Sequence, residues 1–436
     1  MKNMLLIGGC IFLCWGCEGN KPNQQGQQDM DGGTVSASPI AGMKLVWNDE
    51  FDVPALDTNK WFTQYYSTAD FLEKTNWEEF QTGTLPEPAI RFTGNSLILY
   101  TDNQNPAKAY WQSGGRKISS IQTYDWRSNK NLLGDKVGGY IEARIRRDAT
   151  EDAQMVNTAF WFDSPGPDLK YYLQEGDIVN GVEGIRPAGQ IYEIDMCEYL
   201  NTEIVLHGNV DSKGVWQRCI AQYLINDMDF KNKWVTHSLL WTPNSLKFYI
   251  DGVLKKEWSD PNDIKSPNHF MNIYLGAYGK DGTVSMEVDY IRFYQWDLEE
   301  GNELPNADFE YGKSIYPWEG DGNIVTENVR NGKQALAVAP GKQVSQYVYL
   351  DHTTPYSLEY WSNGNLETKV ENIIPVSGQI QDTSKKDTDA TSYEKNVIDF
   401  VSKEEVGINK ATVKISFYNK GITTVFVDNL LLKKTL

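Results

Sequence analysis

The stretch Glu193-Ile194-Asp195-Met196-Cys197-Glu198 sets three carboxylates close together in one segment. Its flanks, Gly189-Gln190-Ile191-Tyr192 and Tyr199-Leu200, are largely apolar or aromatic, as for a strand inside a sheet. Strand side chains alternate between faces, so Glu193 and Asp195 share a face while a regular strand turns Glu198 to the other. One extra residue restores the parity. A β-bulge at Met196-Cys197 sets two residues against one on the neighbouring strand and returns Glu198 to the face of Glu193. The competing reading is a solvated acidic edge strand, but the apolar flanks favour acids lining a solvated cleft. Like charges there split their pKa values. One carboxylate is expected to be ionised and another protonated, with Asp195 between them tuning the ionised one by a hydrogen bond.

Counting the bulge, the two glutamates stand about four strand steps apart, roughly 13 Å between Cα atoms, and each side chain leans inward. That leaves approximately the ~5 to 5.5 Å that separates nucleophile and acid/base carboxyls in retaining glycosidases, rather than the ~6.5 to 9.5 Å of inverting ones.

The chain resembles glycoside hydrolase family 16, whose catalytic strand carries E-[ILV]-D-x-x-E in bulged form. Other segments follow in the family's order. Lys44-Leu45-Val46-Trp47-Asn48-Asp49-Glu50-Phe51 and Leu56-Asp57-Thr58-Asn59-Lys60-Trp61 are similar to its opening strand and turn. Ser96-Leu97-Ile98-Leu99, Gly139-Tyr140-Ile141-Glu142-Ala143-Arg144-Ile145, Thr158-Ala159-Phe160-Trp161 and Val288-Asp289-Tyr290-Ile291-Arg292-Phe293-Tyr294 match further strands. The resemblance covers about residues 43 to 296. It implies an all-β catalytic domain at 43–298, a concanavalin-like β-jelly-roll sandwich of two sheets with the catalytic strand on the floor of a long cleft. Short alternating runs such as Tyr140 to Ile145, Val235 to Trp241 and Ser245 to Ile250, separated by Gly, Pro and Asn turns, independently indicate an antiparallel sandwich.

The same resemblance assigns roles. Glu193 is the expected nucleophile, Glu198 the acid/base and Asp195 the assistant of Glu193. Trp161 matches a tryptophan beside the catalytic strand and is expected to support the sugar next to the cleaved bond. His207 lies on the following strand, near the acid/base or in the core. Trp111 and Trp126 are further platform candidates, with packing as the alternative, while Trp47, Trp61, Trp234, Trp241 and Trp296 read as core. Glu50 and Asp289 occupy positions that hold a structural Ca²⁺ in the family, and hard oxygen ligands suit that ion. No cofactor is expected for catalysis. Two departures leave the linkage open among β-glucans, agar-type galactans and host glycans: Val156-Asn157 precede Thr158 in place of the glucanases' G-x-W-P, and an insert runs from Asp163 to Gly189, where Tyr171 and Tyr172 are placed to close over a subsite or to pin the loop.

Residues 1–17 read as a bacterial lipoprotein signal: Lys2, an apolar run from Met4 to Phe12, and Leu13-Cys14-Trp15-Gly16-Cys17. Cys17 is the expected lipidation site, and the membrane a partner through that anchor, probing outward from the bacterial outer membrane. Residues 18–42, rich in Gln, Asn, Asp, Gly and Ser, read as a flexible tether. Cys197 and Cys219 are expected as buried thiols rather than a disulfide. Only four histidines, no Cys/His ligand spacing and no glycine-rich phosphate loop argue against a zinc or nucleotide enzyme, and a formal charge of −18 argues against nucleic acid. A second, smaller β-sandwich is expected at 304–436. Its segments Leu304-Pro305-Asn306-Ala307-Asp308-Phe309-Glu310 and Val425-Phe426-Val427-Asp428-Asn429-Leu430 resemble a carbohydrate-binding module, a kind of domain that also occurs as an inert spacer, with Trp318, Tyr347 and Trp361 as platform candidates and the core as the equal alternative for each.

The resulting expectation is a monomeric, retaining endo-glycosidase acting on a polysaccharide. The alternatives are a non-catalytic surface glycan-binding lipoprotein, which would normally lack one of the three acids, and a transglycosylase using the same site.

Overall fold

The computed structural model describes residues 27–28, 34–35, 37–65, 86–105, 116–125, 127–164, 169–179, 181–209, 211–213, 215, 217 and 219–435. The leader with Cys17, most of the tether, and both Trp111 and Trp126 lie outside the described residues. Gln27–Gln28 and Thr34–Val35 form an antiparallel pair of their own. The single helical element among the described residues is the 3-10 turn Leu169–Tyr171, and no described helix is long and apolar enough to cross a membrane.

The catalytic region is a sandwich of two antiparallel sheets. One has six strands in the order Ala221–Ile225, Thr202–His207, Glu193–Cys197, Asn157–Asp163, Asn272–Gly279 and Lys117–Gln122. The second runs Val253–Trp258, Ser245–Ile250, Trp234–Thr242, Gly139–Ala149, Val284–Trp296, Leu97–Thr101 and Ile90–Phe92, with Met43–Asp49 also paired to Val284–Trp296. Alternation decides which side chains meet between the sheets. Ile141, Ala143 and Ile145 point inward from one sheet, and Phe160, Phe162, Ile194, Leu206, Ile273 and Leu275 from the other. The carboxylates alternate with these core residues and therefore face away from the core, on the open side of the six-stranded sheet.

The C-terminal region has a separate core, beginning at Leu304 and including Phe309, Trp318, Val348, Tyr360, Phe417 and Val427. Its sheet is organised around Pro355–Ile373, whose first half pairs with Val425–Lys434 and whose second half pairs with Ala411–Asn419. Both halves also pair with Ile380–Val401, with a register slip between Ser362 and Gly364. There Gly364 takes φ +78°, a bend that L side chains resist.

Several tryptophans and one cysteine depart from the sequence expectation. Trp318 is only 1% exposed and packs on Phe417 and Phe309, so it belongs to the core instead of a binding surface. Trp361 is half-buried with the Arg330 guanidinium 4.3 Å over its ring, and Lys414 stands 5.5 Å over Tyr347. Cations thus occupy a face of both remaining platform candidates. Trp61 and Trp241 are buried as expected, whereas Trp234 is half-buried beneath Arg144 and Arg146 on the outer face. Cys197 is buried but Cys219 is exposed, and both are free thiols. Their strand and loop settings differ, because Cys197 is an inward residue of a central strand while Cys219 sits at φ +56° in a turn.

Candidate active site

The bulge is present where the parity of the three acids requires it. Between Asn157–Asp163 and Glu193–Cys197 the register runs Asp163 opposite Glu193, Phe162 opposite Ile194 and Trp161 opposite Asp195, then slips so that Phe160 faces Cys197. Met196 is the extra residue. Directly opposed residues share a face, so the pairing places a row His207, Glu193, Asp163 and Asn272 across the floor, and beside it a row Val205, Asp195, Trp161, Tyr274 and Gln122. Glu198 lies just past the strand, half-buried, where the Asn157 side-chain amide donates to its Oε1 at 3.0 Å. Asn157 also accepts from the Tyr199 N–H at 2.6 Å, fixing the chain as it leaves the bulge.

The acids are not equally open. Glu193 is 8% exposed and its Oε2 has no hydrogen-bond partner in the protein, so the expectation that both glutamates lie open to solvent holds only for Glu198. Burial pushes the Glu193 carboxyl well above the usual range, and Asp195 beside it adds to the rise, while His207 opposes it. Burial likewise raises Asp195, reinforced by the charges of Glu198 and Asp163. Negative charge confined in so small a volume must be shared with protons. His207 Nε2 lies 3.0 Å from Asp195 Oδ2, and the Cys219 N–H donates to His207 Nδ1 at 3.3 Å. The second contact makes Nδ1 the acceptor and puts the ring proton on Nε2, the nitrogen next to Asp195. His207 is thus part of the acid cluster, not of the hydrophobic core.

Trp161 sits on the cleft face as expected, but at 3% exposure it is hemmed in by aromatic neighbours. Its ring stacks on Tyr274 at 5.1 Å and meets Tyr65 edge-on at 5.9 Å. With Tyr278 these form a small aromatic cluster on the floor next to Asp195.

Sequence reasoning passed over Asp163, Glu203 and Arg186. Glu203 has the parity of His207 on the same strand, so alternation alone marks it as a further acid facing the cleft. Burial and the neighbouring Glu198 raise its carboxyl. Arg186, from the insert, is 1% exposed, touches His269 Nε2 through Nη1, and is pushed down to about 9 by burial against the opposing pull of Tyr172 and Asp163. No local pattern announces it. Of the insert's tyrosines, Tyr172 is buried against Tyr192, which pins the loop, while Tyr171 is half-buried.

Glu50 and Asp289 do not make a calcium site as placed. The Arg292 guanidinium clamps Glu50 with Nε to Oε1 at 2.9 Å and Nη2 to Oε2 at 2.6 Å, and Arg144 Nη1 donates to Asp289 Oδ2. A bidentate guanidinium already satisfies a carboxylate's charge and lone pairs, so a cation would have to displace both arginines. Among the described residues, three or more ligand-type side chains converge only at Glu193, Asp195 and His207.

A family model described as glycosyl hydrolases family 16 matches residues 137–295. The chain is 24% identical over 310 residues to glucan endo-1,3-beta-glucosidase A1 of Niallia circulans, an alignment covering 63% of this chain and 41% of that protein, so the chain spans less than half of that relative's length. Among solved structures it is similar to the GlcNAcα1-4Gal-releasing endo-β-galactosidase of Clostridium perfringens, at 18% identity, 71% of this chain, 78% of that chain and a TM-score of 0.42. It is also similar to the endo-β-1,3-glucanase of Pyrococcus furiosus, at 16% identity, 59% and 96% coverage and a TM-score of 0.37. The matched segment contains the bulged strand, the strands on either side of it and all three acids, so the similarity to glycosyl hydrolases family 16 falls on the candidate site itself.

Proposed function

We propose that the protein is a retaining endo-glycosidase that hydrolyses internal β-glycosidic bonds of a polysaccharide of the β-glucan or β-galactan type. The observation that carries this reading is the one-residue slip after Asp195, which gives Glu193, Asp195 and Glu198 a common face. Glu193 attacks the anomeric carbon as the glycosidic C–O bond breaks, and Glu198 delivers a proton to the departing oxygen. The resulting ester joins Glu193 to the sugar. Glu198, now a carboxylate, takes a proton from water as that water attacks the anomeric carbon, and Glu193 leaves as the free carboxylate.

The surroundings support this division of labour. A nucleophile must be ionised, and a proton retained on Asp195 lets Glu193 carry the charge of the pair while Asp195 donates a hydrogen bond to it. His207 holds Asp195 from the other side. Trp161, with Tyr274 and Tyr278 around it, offers an apolar edge to a pyranose ring next to the reacting carbon. Asn157 orients Glu198 through its side-chain amide. None of these steps uses a cofactor.

The test is incubation of the purified mature protein with a panel of polysaccharides, sizing the products and following the first-formed anomer by NMR. Shorter oligosaccharides appearing first as the β-anomer are expected. An initial α-anomer would rule out double displacement, tight binding without products would leave a glycan-binding lipoprotein, and products longer than the substrate would indicate transglycosylation.

In the cell the enzyme is exported and held by lipid on Cys17, at the outer membrane and facing outward, where polymers too large to import are met. Two or more acyl chains at ~0.8 kcal/mol per buried CH₂ make such anchoring stable. The protein is therefore expected to fractionate with membranes. Unchanged membrane retention of a correctly cleaved Cys17→Ala protein would defeat the anchor.

A further inference from the structure

The C-terminal sandwich touches the catalytic domain at a segment, Ser266 to His269, that is itself bonded to the residues leading into the catalytic strand. Tyr349 reaches across from the strand Gln343–Leu350, donates its hydroxyl to Pro267 O at 2.6 Å and accepts the Trp241 indole N–H at 3.0 Å. Asn268, fully buried, is gripped from the same side: the Lys410 N–H donates to its backbone oxygen at 2.5 Å, and its side-chain amide donates to Lys410 O at 2.8 Å. The remaining oxygen of that side chain, Oδ1, accepts from Gln190 Nε2 at 2.5 Å. The next residue, His269, has its Nε2 3.1 Å from Ile191 O. Gln190 and Ile191 are the third and second residues before Glu193.

A second contact reaches the cleft insert. A Cβ on Gly407 would stand 2.8 Å from the Tyr171 ring, so the loop before Lys410 lies against the insert at a distance only glycine allows. The two contacts fix the entry to the catalytic strand and one wall beside it. Neither involves the presumed sugar platforms of the C-terminal region.

We propose that the C-terminal sandwich acts as a brace for the active site, with Asn268 as the positioning residue that passes its hold from Lys410 through Gln190 to the strand bearing Glu193. The inference rests on the glycosidase reading for its kinetic consequence but not for the contact itself. A buried amide that donates to a backbone carbonyl on one domain and accepts from a side chain on the other has one geometry only, and leaving either of those groups unpaired is costly. Nucleophilic attack tolerates little misplacement, so a small shift of Gln190 and Ile191 is felt at the anomeric carbon. The C-terminal domain thereby contributes to turnover without touching substrate.

Full-length Asn268→Ala and Tyr349→Phe test this, with Val427→Ala as a control that weakens the C-terminal core on a strand paired with neither Tyr349 nor Lys410. For Asn268→Ala, kcat is expected to fall about ten-fold with KM within about two-fold, because a positioning defect removes transition-state stabilisation and spares binding. Tyr349→Phe is expected to fall in the same direction by a smaller factor, and Val427→Ala to lower the melting temperature with kcat unchanged. Amide hydrogen exchange of residues 190–197 is expected to quicken in both interface variants while Leu97–Thr101 stays protected. That readout needs no substrate, so an inactive wild-type protein would sink the glycosidase reading and leave the brace measurable. Folded Asn268→Ala and Tyr349→Phe proteins with wild-type kcat and unchanged exchange would overturn the brace; if Asn268→Ala fails to fold, Tyr349→Phe decides alone.

Discussion

Glu193→Gln and Glu198→Gln are each expected to lower kcat by at least about 10³-fold, on a substrate identified by the polysaccharide panel, while the fold stays intact. Covalent and proton-transfer roles of this kind cannot be taken over by an amide, which neither forms the glycosyl ester nor releases a proton at neutral pH. The structural cost is small for reasons specific to each site. At Glu193 the lost oxygen, Oε2, has no protein partner, and the substitution removes a carboxyl whose ionised form is disfavoured by burial and by the Asp195 charge. The Glu193→Gln protein should therefore melt at or above the wild-type temperature. At Glu198 a glutamine keeps the Oε1 acceptor for the Asn157 amide. Asp195→Asn is expected to cost less, since it leaves the nucleophile in place and removes only its tuning partner. Steady-state rates paired with melting curves separate these effects. Near-wild-type turnover in either glutamine variant would mean that the roles are assigned wrongly.

The catalytic strand was legible because its information is local. The spacing of Glu193, Asp195 and Glu198 demands an extra residue, and the slip occurs at Met196 as that parity requires. What escaped depends on which distant segments become neighbours. Asp163 acquires meaning only once it faces Glu193 across the sheet, while Glu203 is the exception, since its parity with His207 on one strand already marks it. Glu50 and Asp289 have the composition of a calcium site, but Arg292 and Arg144, on strands that pair with theirs, supply the positive charge instead. Arg186 comes from an insert without periodicity, so neither its burial nor its contact with His269 has a sequence signature. Cys219 illustrates the same limit in a turn, where alternation gives no rule for inside and outside.

Trp318→Ala is expected to destabilise the C-terminal sandwich by about 3 to 5 kcal/mol, the range for emptying a large aromatic site in a core. The ring lies against Phe417 at 5.4 Å and Phe309 at 5.9 Å, and its indole N–H donates to Asn306 O at 3.2 Å. Deleting it opens a cavity and leaves the Asn306 oxygen with the Phe309 N–H at 3.4 Å as its remaining donor. Trp318→Phe should retain most of the packing and cost less, about 1 to 3 kcal/mol, for the smaller ring and the lost bond to the Asn306 oxygen. Because the two regions have separate cores, denaturant unfolding is expected to show the C-terminal transition shifted to lower concentration, with the catalytic core losing less. A sugar platform at Trp318 would behave oppositely: the alanine variant would keep wild-type stability and lose only affinity for glycan. The same titration also bears on the brace, since kcat should begin to fall at the denaturant concentration where the C-terminal transition begins, before the strand Glu193–Cys197 itself has unfolded.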